Sequence, residues 1–385
     1  MLLRMYDEQK YEDFIQEVKQ KDLFRQAKVY EYSQGVEYSF ENKTLINFSS
    51  NSYLGMHLDK RVVEASSHAT QSLGVSSIAS RLVCGTMPLH DDLEKAVAQW
   101  KGADESIVFN SGFQANVGLI QALADKNTMI FADKLVHASI IDGIRLSGAK
   151  FQRFHHNDIS SLGKLLERYQ DVEHKIIISE TVFSMDGDEA PIADLVSLSK
   201  KYEAFLYLDD AHGAGVYGED GCGPTGRWAK DVDLLLGTFS KAFGSFGAYA
   251  CISKALKDYF LNTCRSYIFS TALPPGVIAA NLKSLELMAS EEYEAKRRSL
   301  LEKCKYLRES LKQKSYQLIE GEGPIIAVLI GSEEGALNKS KELFEKGFLI
   351  PAIRPPTVPK GSSRLRLTLS SLHTYRQIED LLAHF

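Results

Sequence analysis

Apolar positions follow two alternating rhythms through the middle of the chain. Short, nearly continuous apolar runs occur at Ser106-Ile107-Val108-Phe109, Thr128-Met129-Ile130-Phe131, Lys175-Ile176-Ile177-Ile178-Ser179, Phe205-Leu206-Tyr207-Leu208 and Leu234-Leu235-Leu236-Gly237-Thr238. Their length and their large apolar side chains predict strands. Gly112 to Ala124 and Ile192 to Tyr202 carry the helical spacing instead. A strand buried on both faces has no reason to alternate with polar residues. Such strands separated by amphipathic helices predict an α/β fold, a mostly parallel sheet covered by helices on both sides.

The two ends read differently. Up to about Lys28 the chain is charged and helix-prone, with Tyr11, Phe14, Ile15, Val18, Leu23 and Phe24 as a rough apolar stripe, and a turn-rich break follows at Ser33-Gln34-Gly35. From about Pro274 to Lys314 the pattern predicts one or two long helices. Beyond it, isolated strands at Pro324–Leu329 and Arg364–Leu369 interleave with helices at Glu334–Lys346 and His373–His384. This predicts an N-terminal arm (1–45), a large domain (46–288) and a smaller C-terminal α+β domain (289–385).

Composition narrows the class without naming a chemistry. The 385 residues are 44% hydrophobic and 25% charged, which fits a packed globular chain and not a disordered one. Lys plus Arg is 45 and Asp plus Glu is 50, so a net charge of −5 offers no overall attraction for nucleic acid or an anionic membrane. The five cysteines (Cys84, Cys222, Cys251, Cys264, Cys304) form no C-x-x-C pair and have no histidines at zinc-ligand spacing. A reducing, cytoplasmic setting without structural metal is expected. The first ten residues turn polar at once, unlike a secretory leader, and no apolar run approaches the ~20 residues that span a bilayer.

Gly213-Ala214-Gly215-Val216-Tyr217-Gly218 matches G-x-G-x-x-G literally. A dinucleotide fingerprint needs its glycines to leave a strand directly and open a helix. Here Asp209-Asp210-Ala211-His212 intervenes, and Glu-Asp-Gly-Cys-Gly-Pro follows. A glycine-rich turn beside a site is the expectation.

Chemistry gathers where the strands end. In Thr238-Phe239-Ser240-Lys241-Ala242-Phe243-Gly244, Lys241 lies just past a buried strand. Either it reaches out to solvent, or it sits in an apolar cleft that lowers its pKa and makes it nucleophilic toward an aldehyde. Thr238 and Ser240 can then donate to a phosphate. Asp209 closes the run Phe205–Leu208; it either caps a turn or holds a pyridine nitrogen protonated, with His212 three residues on facing a phenolic oxygen. Asn110-Ser111-Gly112-Phe113-Gln114 bridges a strand and a helix, where a plain N-cap and a phosphate cradle at the helix N-terminus are both open. His137 begins the next helix, as a cap or as a ring that stacks on an aromatic ligand. Ser184 lies in a loop after another strand. Taken together these groups match what pyridoxal 5'-phosphate (PLP) requires: an amine, an acid for the ring nitrogen, oxygen partners, a stacker and a phosphate cradle.

The motifs Asn47-Phe48-Ser49-Ser50-Asn51-Ser52-Tyr53-Leu54-Gly55, Phe183-Ser184-Met185-Asp186-Gly187, Asp209-Asp210-Ala211-His212-Gly213 and Thr238–Gly244 resemble those of the α-oxoamine synthases of PLP fold type I, from about residue 20 to the C-terminus. The resemblance implies a PLP-dependent transferase fold, a large domain plus a smaller one, and a homodimer with shared active sites. It implies that Lys241 carries the cofactor and moves a proton, that Asp209 pairs with the ring nitrogen, His212 and Ser184 with the ring oxygen, and that His137 stacks. Gly112, Phe113, Thr238 and Ser240 would serve the phosphate, with Thr271 reaching a neighbouring subunit's. Arg366, with Asn51, would clamp the amino acid's carboxylate, and Arg25 and Thr357 would line the acyl path. Ile353-Arg354-Pro355-Pro356-Thr357-Val358-Pro359 and Arg364–Thr368 are most similar to members that join L-alanine to a pimeloyl thioester of coenzyme A or an acyl carrier protein. Glycine-using or longer-chain relatives, and an aminotransferase on the same fold, are the alternatives.

Overall fold

The computed structural model describes residues 8–21 and 23–385. Among these residues fourteen strands fall in three sheets. The N-terminal part contributes β1 (Glu31–Gln34), β2 (Glu37–Phe40) and β3 (Lys43–Asn47). The middle contributes β4 (Glu105–Phe109), β5 (Thr128–Asp133), β6 (Lys150–Phe154), β7 (His174–Glu180), β8 (Phe205–Asp209), β9 (Leu234–Thr238) and β10 (Ala248–Ile252). The C-terminal part adds β11 (Ile325–Gly331), β12 (Phe348–Leu349), β13 (Ala352–Ile353) and β14 (Ser363–Thr368).

The central sheet has the order β4-β10-β9-β8-β7-β5-β6, parallel throughout except for β10, which runs antiparallel to both β4 and β9. Successive side chains of one strand enter opposite layers. On β8, Leu206 and Leu208 join one core while Tyr207 joins the other; on β9, Leu235 faces the first and Leu234 and Leu236 the second. Both layers are buried, which is why these strands read as unbroken apolar runs. Helices 112–123 and 138–147 cover one face through Ala115, Leu119, Ile120, Ile140 and Ile144.

Two strands of this sheet escape the sequence reading. β6 is an edge strand, exposed along most of its length, so only Phe154 needs to be apolar and buried. β10 is fully buried, but Ala248, Ala250 and Cys251 make it a run of mostly small residues, and a glycine-rich turn precedes it. The long helical stretch divides into helices 275–288 and 291–313, where Ser290 caps the second by accepting from Tyr293 N. The glycine-rich segment after β8 opens no α-helix: Gly213–Gly218 is turn and bend, with Gly215 and Gly218 at φ +83° and +74°, and only a three-residue 3-10 turn (Glu219–Gly221) follows.

The N-terminal arm extends further into the fold than an arm. β3 pairs in parallel with β12 through Ile46↔Phe348 and Asn47↔Leu349, completing a sheet β1-β2-β3-β12. We therefore propose that the smaller domain draws on both chain ends, 31–47 together with 289–385. No helix among the described residues is long and apolar enough to cross a membrane.

Candidate active site

The C-terminal ends of β4, β5, β7, β8 and β9 point the same way because the strands are parallel, and the loops leaving them converge. Asp209 ends β8 and is 6% exposed. Its Oδ2 accepts from Asn116 Nδ2 at 2.8 Å and its Oδ1 from Ala211 N at 3.0 Å. Asn116 also donates to Ser139 Oγ (3.0 Å) and accepts from the Tyr207 hydroxyl (2.7 Å). This network holds the carboxylate fixed while leaving each oxygen a further lone pair.

Lys241 follows β9, and no side chain among the described residues hydrogen-bonds its Nζ. Burial lowers its pKa to about 8 against the pull of Asp209 and Glu180, so the free base is far more accessible near neutrality than for an ordinary lysine. His212 is buried, 2.5 Å from the Tyr53 hydroxyl through Nδ1. Burial, with Lys241, Arg366 and His137 adding positive charge, pushes its pKa well below the ordinary histidine value. A neutral ring that accepts from Tyr53 at Nδ1 carries its proton on Nε2, ready to donate. Tyr53 itself is raised to about 12 by burial, with Arg366 opposing.

His137 precedes helix 138–147 and its Nδ1 accepts from Ser139 N at 3.3 Å, so the capping role and an exposed ring coexist. Its pKa is lowered, by burial first, with Asp209 opposing and Lys241 assisting. Phe113 lies edge-on to it at 6.4 Å. Arg366, on β14, is 6% exposed; its Nε donates to the Ser184 carbonyl (2.6 Å), Nη1 to Thr368 Oγ1 (2.9 Å) and Nη2 to Asn51 Oδ1 (3.2 Å). The smaller domain thus delivers a cation onto the strand-end loops. Arg25, His137, Ser184 and Thr357 line one cavity of about 570 Å³.

The phosphate-side residues differ in what they have left to give. Ser111 caps helix 112–123 by accepting from Gln114 N, and a Cβ at Gly112 would meet only open space. The Thr238 hydroxyl already donates to the Gly247 carbonyl at 2.8 Å and pairs with Ser240 Oγ at 2.8 Å. Its side chain is therefore engaged in positioning exposed Ser240. Thr271 stands apart, exposed, with its carbonyl accepting from Asn110 Nδ2 at 2.8 Å.

Sequence reasoning missed Asn116, Tyr53 and Glu180. Glu180 ends β7 in register with Asp209, is 3% exposed, and has one buried oxygen without a hydrogen-bond partner among the described residues. Burial and the neighbouring Asp209 raise its pKa well above the carboxylate range, against Lys241 and the His137 backbone N–H. An amine of lowered pKa, a fixed carboxylate with spare acceptor capacity, a neutral histidine and an open helix N-terminus fit PLP in their chemistry.

The fold and these groups define the class of PLP-dependent enzymes of fold type I. The family model for aminotransferase class I and II matches residues 43–385. An 8-amino-7-oxononanoate synthase of Trichlorobacter lovleyi is 44% identical over 349 residues, 89% of this chain and 88% of that protein. A solved serine palmitoyltransferase (SPT) structure with PLP superposes with TM-score 0.93 at 30% identity, over 98% of this chain and 97% of the other. The 8-amino-7-oxononanoate synthase of Francisella tularensis superposes with TM-score 0.77 at 29% identity, over 88% and 96%. The chain belongs to the aminotransferase class I and II family, and within it to the α-oxoamine synthases: it is a PLP-dependent acyltransferase.

Proposed function

We propose that the enzyme condenses L-alanine with a pimeloyl thioester, carried by coenzyme A or an acyl carrier protein, giving 8-amino-7-oxononanoate, carbon dioxide and free thiol on the route to biotin. The observation that carries the reading is the placement of Arg366. A buried guanidinium tied to Asn51 and the Ser184 carbonyl is a receptor for the amino acid's carboxylate within reach of Lys241. Support for the acyl half comes from the similarity to 8-amino-7-oxononanoate synthases and from the cavity joining His137 and Ser184 to Arg25 and Thr357.

When bound, PLP supplies an electron sink that stabilises negative charge at the amino acid's Cα. Asp209 would pair with the ring nitrogen, held there by Asn116. His212, donating from Nε2, and Ser184 would hold the ring oxygen, and His137 would cover the ring. Gly112, Phe113 and Ser240, positioned by Thr238, would receive the phosphate. Lys241 would carry the coenzyme and then, as a free amine, remove and return the proton at Cα. Arg366 orients the carboxylate that later leaves as carbon dioxide.

A second copy of this chain would complete the site. Val75, Ile78, Val83 and Phe269 are 79%, 83%, 78% and 70% exposed, and the bridge between Ser80 and Thr271 lies among them. So much exposed apolar surface beside Thr271 favours a homodimer in which Thr271 reaches the neighbouring phosphate.

The likeness to SPT favours a second reading, with serine and a longer acyl chain. Thiol release and product mass, measured for alanine, glycine and serine against pimeloyl, acetyl and palmitoyl thioesters, separate the two. Alanine with the pimeloyl thioester is expected to turn over fastest; a faster serine–palmitoyl pair overturns the assignment. In the same assay Arg366→Lys, which keeps charge but loses the planar fork, should raise the amino acid's KM roughly 10- to 100-fold. An unchanged KM would remove Arg366 from the carboxylate site.

A further inference from the structure

His156 lies outside every role assigned so far, yet both of its ring nitrogens meet carboxylates. Nδ1 is 3.0 Å from Asp133 Oδ1 and Nε2 is 2.7 Å from Asp188 Oδ2. The two acids belong to different segments of the chain. Asp133 ends β5 four residues before His137, and its Oδ1 also accepts from Leu135 N at 2.7 Å, shaping the turn that leads to His137. Asp188 closes the loop that carries Ser184: Phe183 N donates to the Asp188 carbonyl at 3.0 Å and Gly187 N to the Phe183 carbonyl at 2.8 Å. The imidazole edge rests against Phe183 with ring centroids 4.4 Å apart.

We propose that His156 is a positioning residue that clasps Asp133 and Asp188 and so fixes the His137 loop relative to the Ser184 loop. The proposal rests on the reading that His137 and Ser184 face the coenzyme. A neutral imidazole donates from only one nitrogen and would turn a lone pair toward the other carboxylate, so the clasp requires both nitrogens to carry hydrogens. The surrounding charges agree. Asp133, Asp186 and Asp188 face the ring, while Arg364 on β14 is ion-paired to Asp186. Burial opposes the imidazolium, but the hydrogen bonds it donates to Asp133 and Asp188, with their negative charges, outweigh that and raise the pKa to about 10. His156, Asp186 and Asp188 bring donor atoms within 4.8 Å of one another, yet Arg364 and the imidazolium already meet those carboxylates within the chain. Asn157 strengthens the junction, donating from N to Asp133 Oδ2 (2.9 Å) and from Nδ2 to Asp188 Oδ2 (2.9 Å). Arg364 is two residues from Arg366, so the same cluster links the loops to the strand of the carboxylate receptor.

The test compares wild type, His156→Leu and His156→Gln for PLP dissociation constant, kcat and thermal melting, with ring nitrogen NMR on the wild-type holoenzyme at pH 8. The expected result is an imidazole protonated on both nitrogens at pH 8, and for the leucine variant a PLP dissociation constant raised and a kcat lowered, each by roughly 10- to 100-fold. The glutamine variant, with one amide in place of two ring donors, should fall between. A neutral His156 at pH 8 overturns the proposal, whether or not the variants fold. So do variants that melt lower but keep PLP affinity and kcat within twofold, because that outcome is a structural role only. A wild-type protein that holds PLP but turns over no thioester would refute the substrate reading and leave the affinity comparison standing.

Discussion

Lys241→Ala is expected to lower kcat by at least ~10²–10⁴-fold, the range that positioned acid–base catalysis contributes. The side chain has two jobs, carrying the coenzyme and moving the Cα proton, and alanine performs neither. Its loss should not harm the fold. The ammonium gains no hydrogen bond from the described residues and is held against burial, which already lowers its pKa to about 8. Thiol release measured with saturating PLP reports the first effect, and the melting curve of the apoprotein the second. A variant within tenfold of wild-type turnover would assign the proton transfer to another group.

The largest stability effect is expected some distance from the chemistry, at Lys101. Its Nζ donates to Asp210 Oδ2 at 2.7 Å and to the Cys222 carbonyl at 2.7 Å, and the two ionic side chains are 1% and 0% exposed. Thr181 Oγ1 donates to the other Asp210 oxygen at 2.6 Å. The glycine-rich turn wraps this carboxylate closely: a Cβ at Gly213 or at Gly223 would lie 2.3 Å from an Asp210 oxygen. Asp210 adjoins Asp209, so the pair anchors the turn that carries Asp209 and His212. Lys101→Met leaves a buried, uncompensated carboxylate and should cost about 3–5 kcal/mol. Burial raises the Asp210 pKa and Lys101 opposes that rise; with Lys101 gone the folded state favours the protonated acid more strongly. The folded protein then binds more protons than the unfolded one, so the variant's deficit should grow as pH rises above the ordinary carboxylate range. Urea midpoints of the apoprotein at pH 5 and pH 8 measure this, and Asp210→Asn in the Lys101→Met background should recover part of the loss. A deficit below about 1 kcal/mol at both pH values would show that the pair does not anchor the turn.

The difference between these two lysines explains what the sequence reveals of the site and what it hides. Lys241, Asp209, His212, His137 and Ser184 each end or follow a buried strand, and parallel strands bring such positions together whatever the intervening helices contain. Local periodicity therefore exposes them. Lys101 and Asp210 are 109 residues apart, Asn116 and Asp209 93 apart, and His156 and Asp188 32 apart. No local pattern encodes those pairings. Two signals were nevertheless present: Glu180 ends an apolar strand just as Asp209 does, and Asn116 interrupts the apolar face of its helix. The fold was most legible where strands are buried on both faces and least at β6, an exposed edge, and at β1 to β3, whose partner β12 lies some three hundred residues later.

The most direct measurement is to reduce the PLP-loaded protein with borohydride, digest it and locate the added coenzyme by peptide mass. One modified site is expected, on the peptide that contains Lys241, with a yellow protein bleached by the reduction. Coenzyme fixed to another lysine, or to none, would contradict it.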